Sequence, residues 1–217
     1  MAQIQQAREL TVEVGSHHLE GILRIPEAAI GLVIFAHGSG SSRLSPRNTH
    51  VAHELNRRSL ATLLFDLLTE QEATYRANVF DIPLLGRRVA EAVRWARANA
   101  ATAEFQLGLF GSSTGAAAAL VAAAQAPDDV SAVVSRGGRP DLAVDWLGSV
   151  RAPTLLIIGG DDFGVIDLNE QALELLSCEK RIEIIPGATH LFEEPGTLDQ
   201  VVEQAGRWFE SHLGSAL

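Results

Sequence analysis

The chain has 217 residues, 47% of them hydrophobic and 20% charged, with 27 acidic against 17 basic side chains and a formal net charge of −10. That length and composition fit one folded domain with a full core, and the negative balance disfavours nucleic-acid backbones and anionic membrane surfaces as partners. Cys178 stands alone, which excludes an internal disulfide and a thiolate-rich zinc site.

The first ten residues are polar and lack the apolar core of a secretory leader. The longest apolar run, nine residues at 116–124, is far too short to span a bilayer. These features predict a soluble, cytoplasmic single domain over residues 1–217. Residues 10–15 and 18–26 read as strands of a hairpin turning through Gly15-Ser16-His17. Further strands are expected at 31–37, 61–66, 106–112, 130–135, 153–159 and 181–185. Several of these, such as Leu32-Val-Ile-Phe35 and Leu155-Leu-Ile-Ile158, are continuously apolar, the pattern of parallel strands covered on both faces. Helices are expected at 48–58, 83–99, 114–126, 141–149, 168–177 and 197–212, with capping-box patterns at Asp167-x-x-Glu170 and Thr197-x-x-Gln200. Short strands alternating with helical crossovers predict an α/β fold: a mostly parallel, eight-stranded, doubly wound sheet with helices on both faces.

In such sheets ligands bind at the carboxyl ends of the strands, and three tips carry chemistry. Gly111-Ser-Ser113-Thr-Gly115 is G-x-S-x-G between a strand and an alanine-rich helix. A sharp turn there lifts the Ser113 hydroxyl clear of the sheet, and the helix N-terminus supplies N–H donors beside it. Read without that context, the motif is a small-residue turn. His37-Gly-Ser39-Gly follows an earlier strand and can present the Ser39 N–H, which with the Thr114 N–H would form an oxyanion hole. His37 reads as a structural hydrogen bonder. Two later tips hold Gly159-Gly-Asp161-Asp162 and Pro186-Gly-Ala-Thr-His190. The order Ser113, Asp162, His190 is that of serine hydrolases built on this sheet.

With these motifs in place, the chain resembles the α/β-hydrolase superfamily, in particular its small lidless members of dienelactone-hydrolase-like or esterase-like type. The resemblance implies the acid at the fourth residue of Gly159-x-x-Asp162, acyl transfer to water through a serine-bound acyl-enzyme, and no metal or cofactor. Authentic dienelactone hydrolases resemble this fold but use a cysteine nucleophile, where this chain has Ser113. The stretch 139–152 is too short for a separate cap domain.

Arg136, after the sixth strand, and Tyr75, in a stretch at 67–81 that reads equally as a partial lid or an irregular surface connection, are candidate substrate contacts; Arg136 would favour an anionic group, unless it pairs with a surface carboxylate. Arg43 and Arg47 carry the same ambiguity. His50-x-x-His53-Glu54 is not H-E-x-x-H and reads as a solvated helix face. The function expected is a carboxylic ester hydrolase acting on small esters or thioesters. Two alternatives stay open: a non-catalytic binding domain on the same fold, and an acyltransferase or perhydrolase using the same triad. A small-molecule ester is the expected partner, and pairing into a homodimer stays open.

Overall fold

The computed structural model describes residues 7–214. Its strands are β1 (Arg8–Val14), β2 (Leu19–Ile25), β3 (Gly31–Ala36), β4 (Leu60–Phe65), β5 (Leu107–Ser112), β6 (Val130–Arg136), β7 (Thr154–Gly159) and β8 (Lys180–Ile185), and they form one sheet in the order β1-β2-β4-β3-β5-β6-β7-β8. β1 and β2 pair antiparallel, as do β2 and β4, and every other neighbour is parallel. All residues of β3, β4, β5 and β7 are buried. Their apolar runs follow from that burial, because successive side chains serve opposite faces. Val33 and Phe35 enter one core, under α1 (Pro46–Arg57) and α8 (Thr197–Leu213), and Leu32 and Ile34 enter the other. That second core lies under α4 (Ile82–Ala98), α5 (Thr114–Gln125), α6 (Val144–Leu147) and α7 (Phe163–Leu175).

The chain leaves β3 toward β4 on one side, whereas β5 continues to β6 on the other. The crevice between the carboxyl ends of β3 and β5 is therefore the topological switch point at which doubly wound sheets bind ligands. No helix among the described residues is long and apolar enough to cross a membrane.

The local boundaries depart from expectation where short capping patterns misled. α7 begins at Phe163, which places Asp167 and Glu170 inside the helix. α8 is preceded by Gly196 in a left-handed conformation (φ 78°), and the Thr197 hydroxyl donates to Glu194 O at 2.7 Å instead of capping. The capping box that does form is Thr69 with Glu72, at the start of α2 (Glu70–Ala73), in a stretch read as irregular; α3 (Arg76–Val79) follows it. A four-residue pattern arises often by chance, and only the surrounding chain path decides which copy is used. The helix expected at 141–149 is a 3₁₀ turn (Pro140–Ala143) leading into the single turn of α6.

Candidate active site

The chain enters α5 from β5 through Ser113, whose φ of 53° and ψ of −123° are costly for a residue with a Cβ. Neighbouring backbone holds it there. The Ser113 N–H donates to Arg136 O at 3.2 Å, and its carbonyl accepts from the Ala116 and Arg139 N–H groups, each at 3.1 Å. The turn needs glycine on both sides. A Cβ on Gly111 would collide with the backbone of Ala116, and one on Gly115 with the carbonyl oxygens of Ala36 and His37, both well inside the 3.0 Å that real Cβ contacts keep. The hydroxyl is thus lifted off the sheet at the N-terminus of α5, where first-turn N–H groups have no intrahelical partner.

His190 Nε2 lies 3.3 Å from Ser113 Oγ, and His190 Nδ1 lies 2.7 Å from Asp162 Oδ2. The acid turn and the histidine loop are stitched together by main-chain bonds from Gly160 N–H to Ile185 O and from Asp161 N–H to Ala188 O, at 2.8 and 2.9 Å. Asp161 turns outward and is exposed. Glu194 braces the loop from its far side, accepting from the Thr189 hydroxyl at 2.6 Å and the Thr189 N–H at 3.1 Å; the hydroxyl bond chiefly holds its carboxyl below the usual range. From the sequence, Glu194 reads as acting on the start of the following helix or on the nearby His190, not as a brace of the loop. A five-residue separation across a loop carries no pattern that would reveal the brace.

The two expected oxyanion donors meet each other. The Ser39 N–H donates to Thr114 Oγ1 at 2.9 Å, so in this state it is capped by the very residue whose own N–H is the second donor. Gly38 crosses directly above the elbow, and a Cβ there would stand 3.0 Å from Ser113 Cβ. His37 ties this loop to the β4 tip: Nδ1 lies 3.0 Å from Gly38 O, and Nε2 accepts the Leu67 N–H at 3.1 Å. That pairing assigns the proton to Nδ1. Burial, the main influence, lowers the imidazole's pKa and keeps it neutral. His37 is structural, as its sequence position implied.

A cavity of about 670 Å³ opens beside Gly38 and Ser39, walled by Leu19, Leu67, Leu68 and Val79 and rimmed by Glu20, Asp66 and Glu70. Arg43 also lines it, but its guanidinium is paired with both Asp66 and Glu20. Arg47 pairs with Glu193 at 2.9 Å. Helices α2 and α3 close one side, and Arg88 of α4 anchors α2 through Glu72 at 2.7 Å. Neither expected substrate contact lines this cavity. Tyr75 is 61% exposed. Arg136 follows the strand alternation onto the α1/α8 face, where it is buried among Asn48 and Phe192.

A family model described as the Dienelactone hydrolase family matches residues 53–210. Two Mycobacterium tuberculosis proteins, from strains CDC 1551 / Oshkosh and H37Rv and both named for phosphoribosyl transfer, are 55% identical over 205 residues. The match takes in 94% of this chain and 46% of theirs, so the chain spans about half the length of these relatives. Among solved structures, the dienelactone hydrolase of Anabaena variabilis is 54% identical with a TM-score of 0.92, over 96% of this chain and 99% of that one. Est1E from Butyrivibrio proteoclasticus, at 14% identity and a TM-score of 0.76 over 94% and 98% of the two chains, shares the fold.

Proposed function

The chain belongs to the dienelactone hydrolase family, and from that premise we propose that it is a serine hydrolase of small carboxylic esters or thioesters, acting through an acyl-enzyme on Ser113. The observation that carries this reading is the continuous line from Ser113 Oγ through His190 to Asp162, at 3.3 and 2.7 Å. Ser113 Oγ attacks the ester carbonyl carbon while His190 Nε2 takes its proton. Asp162 fixes the proton on Nδ1 and stabilises the imidazolium. The tetrahedral intermediate places its oxyanion by the Thr114 N–H. The Ser39 N–H joins it by turning from Thr114 Oγ1 to the stronger, charged acceptor. Collapse breaks the bond to the leaving group, which receives the proton from His190, and water repeats the sequence to release the acid.

The cavity beside the oxyanion loop, lined by Gly38 and Ser39 but not by Ser113, Asp162 or His190, supports a choice of substrate. Leu19, Leu67, Leu68 and Val79 share its lining with Ser39, Ser41, Ser42 and Thr69 and with three carboxylates, and Arg43 is already paired, so a carboxylate-bearing ester meets no unengaged guanidinium there. Uncharged esters are the substrates this cavity favours. The transferase named in the M. tuberculosis relatives belongs, on this reading, to the half of those proteins that this chain does not span.

Intact-mass labelling with a small fluorophosphonate tests the assignment. One adduct on the wild type and none on Ser113→Ala is the expected result. Absence of an adduct on folded wild type would overturn it and favour a binding domain.

A further inference from the structure

Arg136 is a physical anomaly. Its side chain is 5% exposed, no carboxylate pairs with it, and its Nε has no hydrogen-bond partner among the described residues. Its contacts are a 3.2 Å bond from Nη2 to Asn48 Oδ1 and the Phe192 ring, whose centroid lies 5.7 Å from the guanidinium carbon. Burial, with the like charge of Arg47 added, pushes its pKa down to about 10, still far above neutrality, so the group stays charged. A buried ion without a partner is costly, and an apolar residue of the same volume is generally tolerated as well or better. Where a fold keeps such a charge, a functional gain elsewhere is the reasonable place to look.

The surroundings locate that gain. Arg136 pairs with Ser112 across the β5–β6 ladder, one residue before the nucleophile. The amide of Asn48, whose oxygen the guanidinium holds, reaches Ser112 Oγ with its nitrogen at 3.4 Å. The carbonyl of Arg136 itself accepts the Ser113 N–H. On its other flank, Phe192 follows His190 by two residues and is kept at φ 54°. The charge thus sits beneath the elbow, near the first turn of α1, in a site that water barely reaches.

We propose that Arg136 is a preorganised positive charge whose counter-charge is the oxyanion formed during ester cleavage, and that it lowers the barrier through its field without touching substrate. This rests on the serine-hydrolase reading. A carboxylate partner in the ground state would cancel the field, which accounts for the absence of one. Because the acyl carbonyl becomes charged only on attack, the effect falls on kcat and leaves KM nearly unchanged.

The test compares Arg136→Met, which keeps volume and the apolar contact with Phe192, with Arg136→Lys, which keeps the charge. On a neutral p-nitrophenyl ester, Arg136→Met is expected to lose about tenfold or more in kcat, the order expected when a unit charge acting through a poorly solvated interior is removed. Its melting temperature stays level or rises, and Arg136→Lys recovers most of the rate. If Arg136→Met keeps wild-type kcat, or loses it only in step with a fall in melting temperature, the residue is packing and the proposal is wrong. If Arg136→Lys is as slow as Arg136→Met, charge is not the cause, which also overturns it. Fluorophosphonate labelling of the wild type separates this inference from its premise: a labelled wild type with unaltered Arg136→Met kinetics sinks the inference alone, and an unlabelled wild type sinks both.

Discussion

Replacing Asp162 with asparagine separates the chemistry of the site from its folding. The carboxylate is 15% exposed on its side chain and sits 2.7 Å from His190 Nδ1, so it accepts a short, charge-assisted bond in a partly desolvated position. An asparagine is almost the same size but can donate toward Nδ1. The imidazole then carries its proton on Nε2, the nitrogen that faces Ser113 at 3.3 Å and has to accept from it. Loss of the productive tautomer in a serine-protease triad costs about 10⁴-fold in kcat, or roughly 5.5 kcal/mol of barrier, and a loss of 10³- to 10⁴-fold is expected here. The fold should be nearly unaffected. Asp162 precedes α7 but makes no side-chain capping bond to it, so only its interaction with the helix dipole is forfeited, about 0.3–1 kcal/mol. For a chain of this length that lowers Tm by at most about 4 °C. Steady-state hydrolysis of a p-nitrophenyl ester, run beside thermal melts, reads both quantities. Asp161→Asn is the control, expected within about twofold of wild type because its side chain points to solvent. A Asp162→Asn enzyme retaining a tenth of its activity, or an Asp161→Asn enzyme carrying the loss instead, would refute the assignment of the acid.

Two further outcomes follow from the packing and ionisation of the oxyanion loop. Gly115→Ala drives a methyl into the carbonyl oxygens of Ala36 and His37; a cost of about 3 kcal/mol should lower Tm by roughly 6–12 °C, whereas Gly148→Ala, with nothing within 4 Å of the new methyl, should melt like wild type. Burial lowers the pKa of His37 below its ordinary 6.5, so as pH falls through that value the unfolded chain gains a proton that the folded one resists. Stability is then intact above pH 6.5 and declines below it. Urea titrations from pH 7.5 to 5 should show a shallower decline in His37→Gln than in wild type, with His53, lowered in the same direction, left in place in both; parallel declines would remove His37 as the cause.

The sequence alone determined the sheet and the chain order of the candidate triad. Apolar runs such as 32–35 and 155–158 report burial on both faces whatever else surrounds them. A G-x-S-x-G turn between strand and helix is legible because its glycines answer a local steric demand. The candidate acid and base could be named too, because a parallel sheet sends every strand tip to one edge, so residues following β5, β7 and β8 converge from chain order alone. What stayed hidden depends on side-chain direction and long-range contact. Arg136 looked like a substrate residue because it ends a strand; the alternation of β6 turns it onto the α1/α8 face, and the helix that meets it there, through Asn48, lies 88 residues away. The stretch at 67–81 read as irregular because its helices are single turns with no room for a periodic pattern, and the first of them is anchored by Arg88 on a later helix. The cap on the Ser39 N–H by Thr114 spans 75 residues. Local sterics and burial periodicity are written along the chain, whereas these contacts exist only once the sheet has brought its tips together.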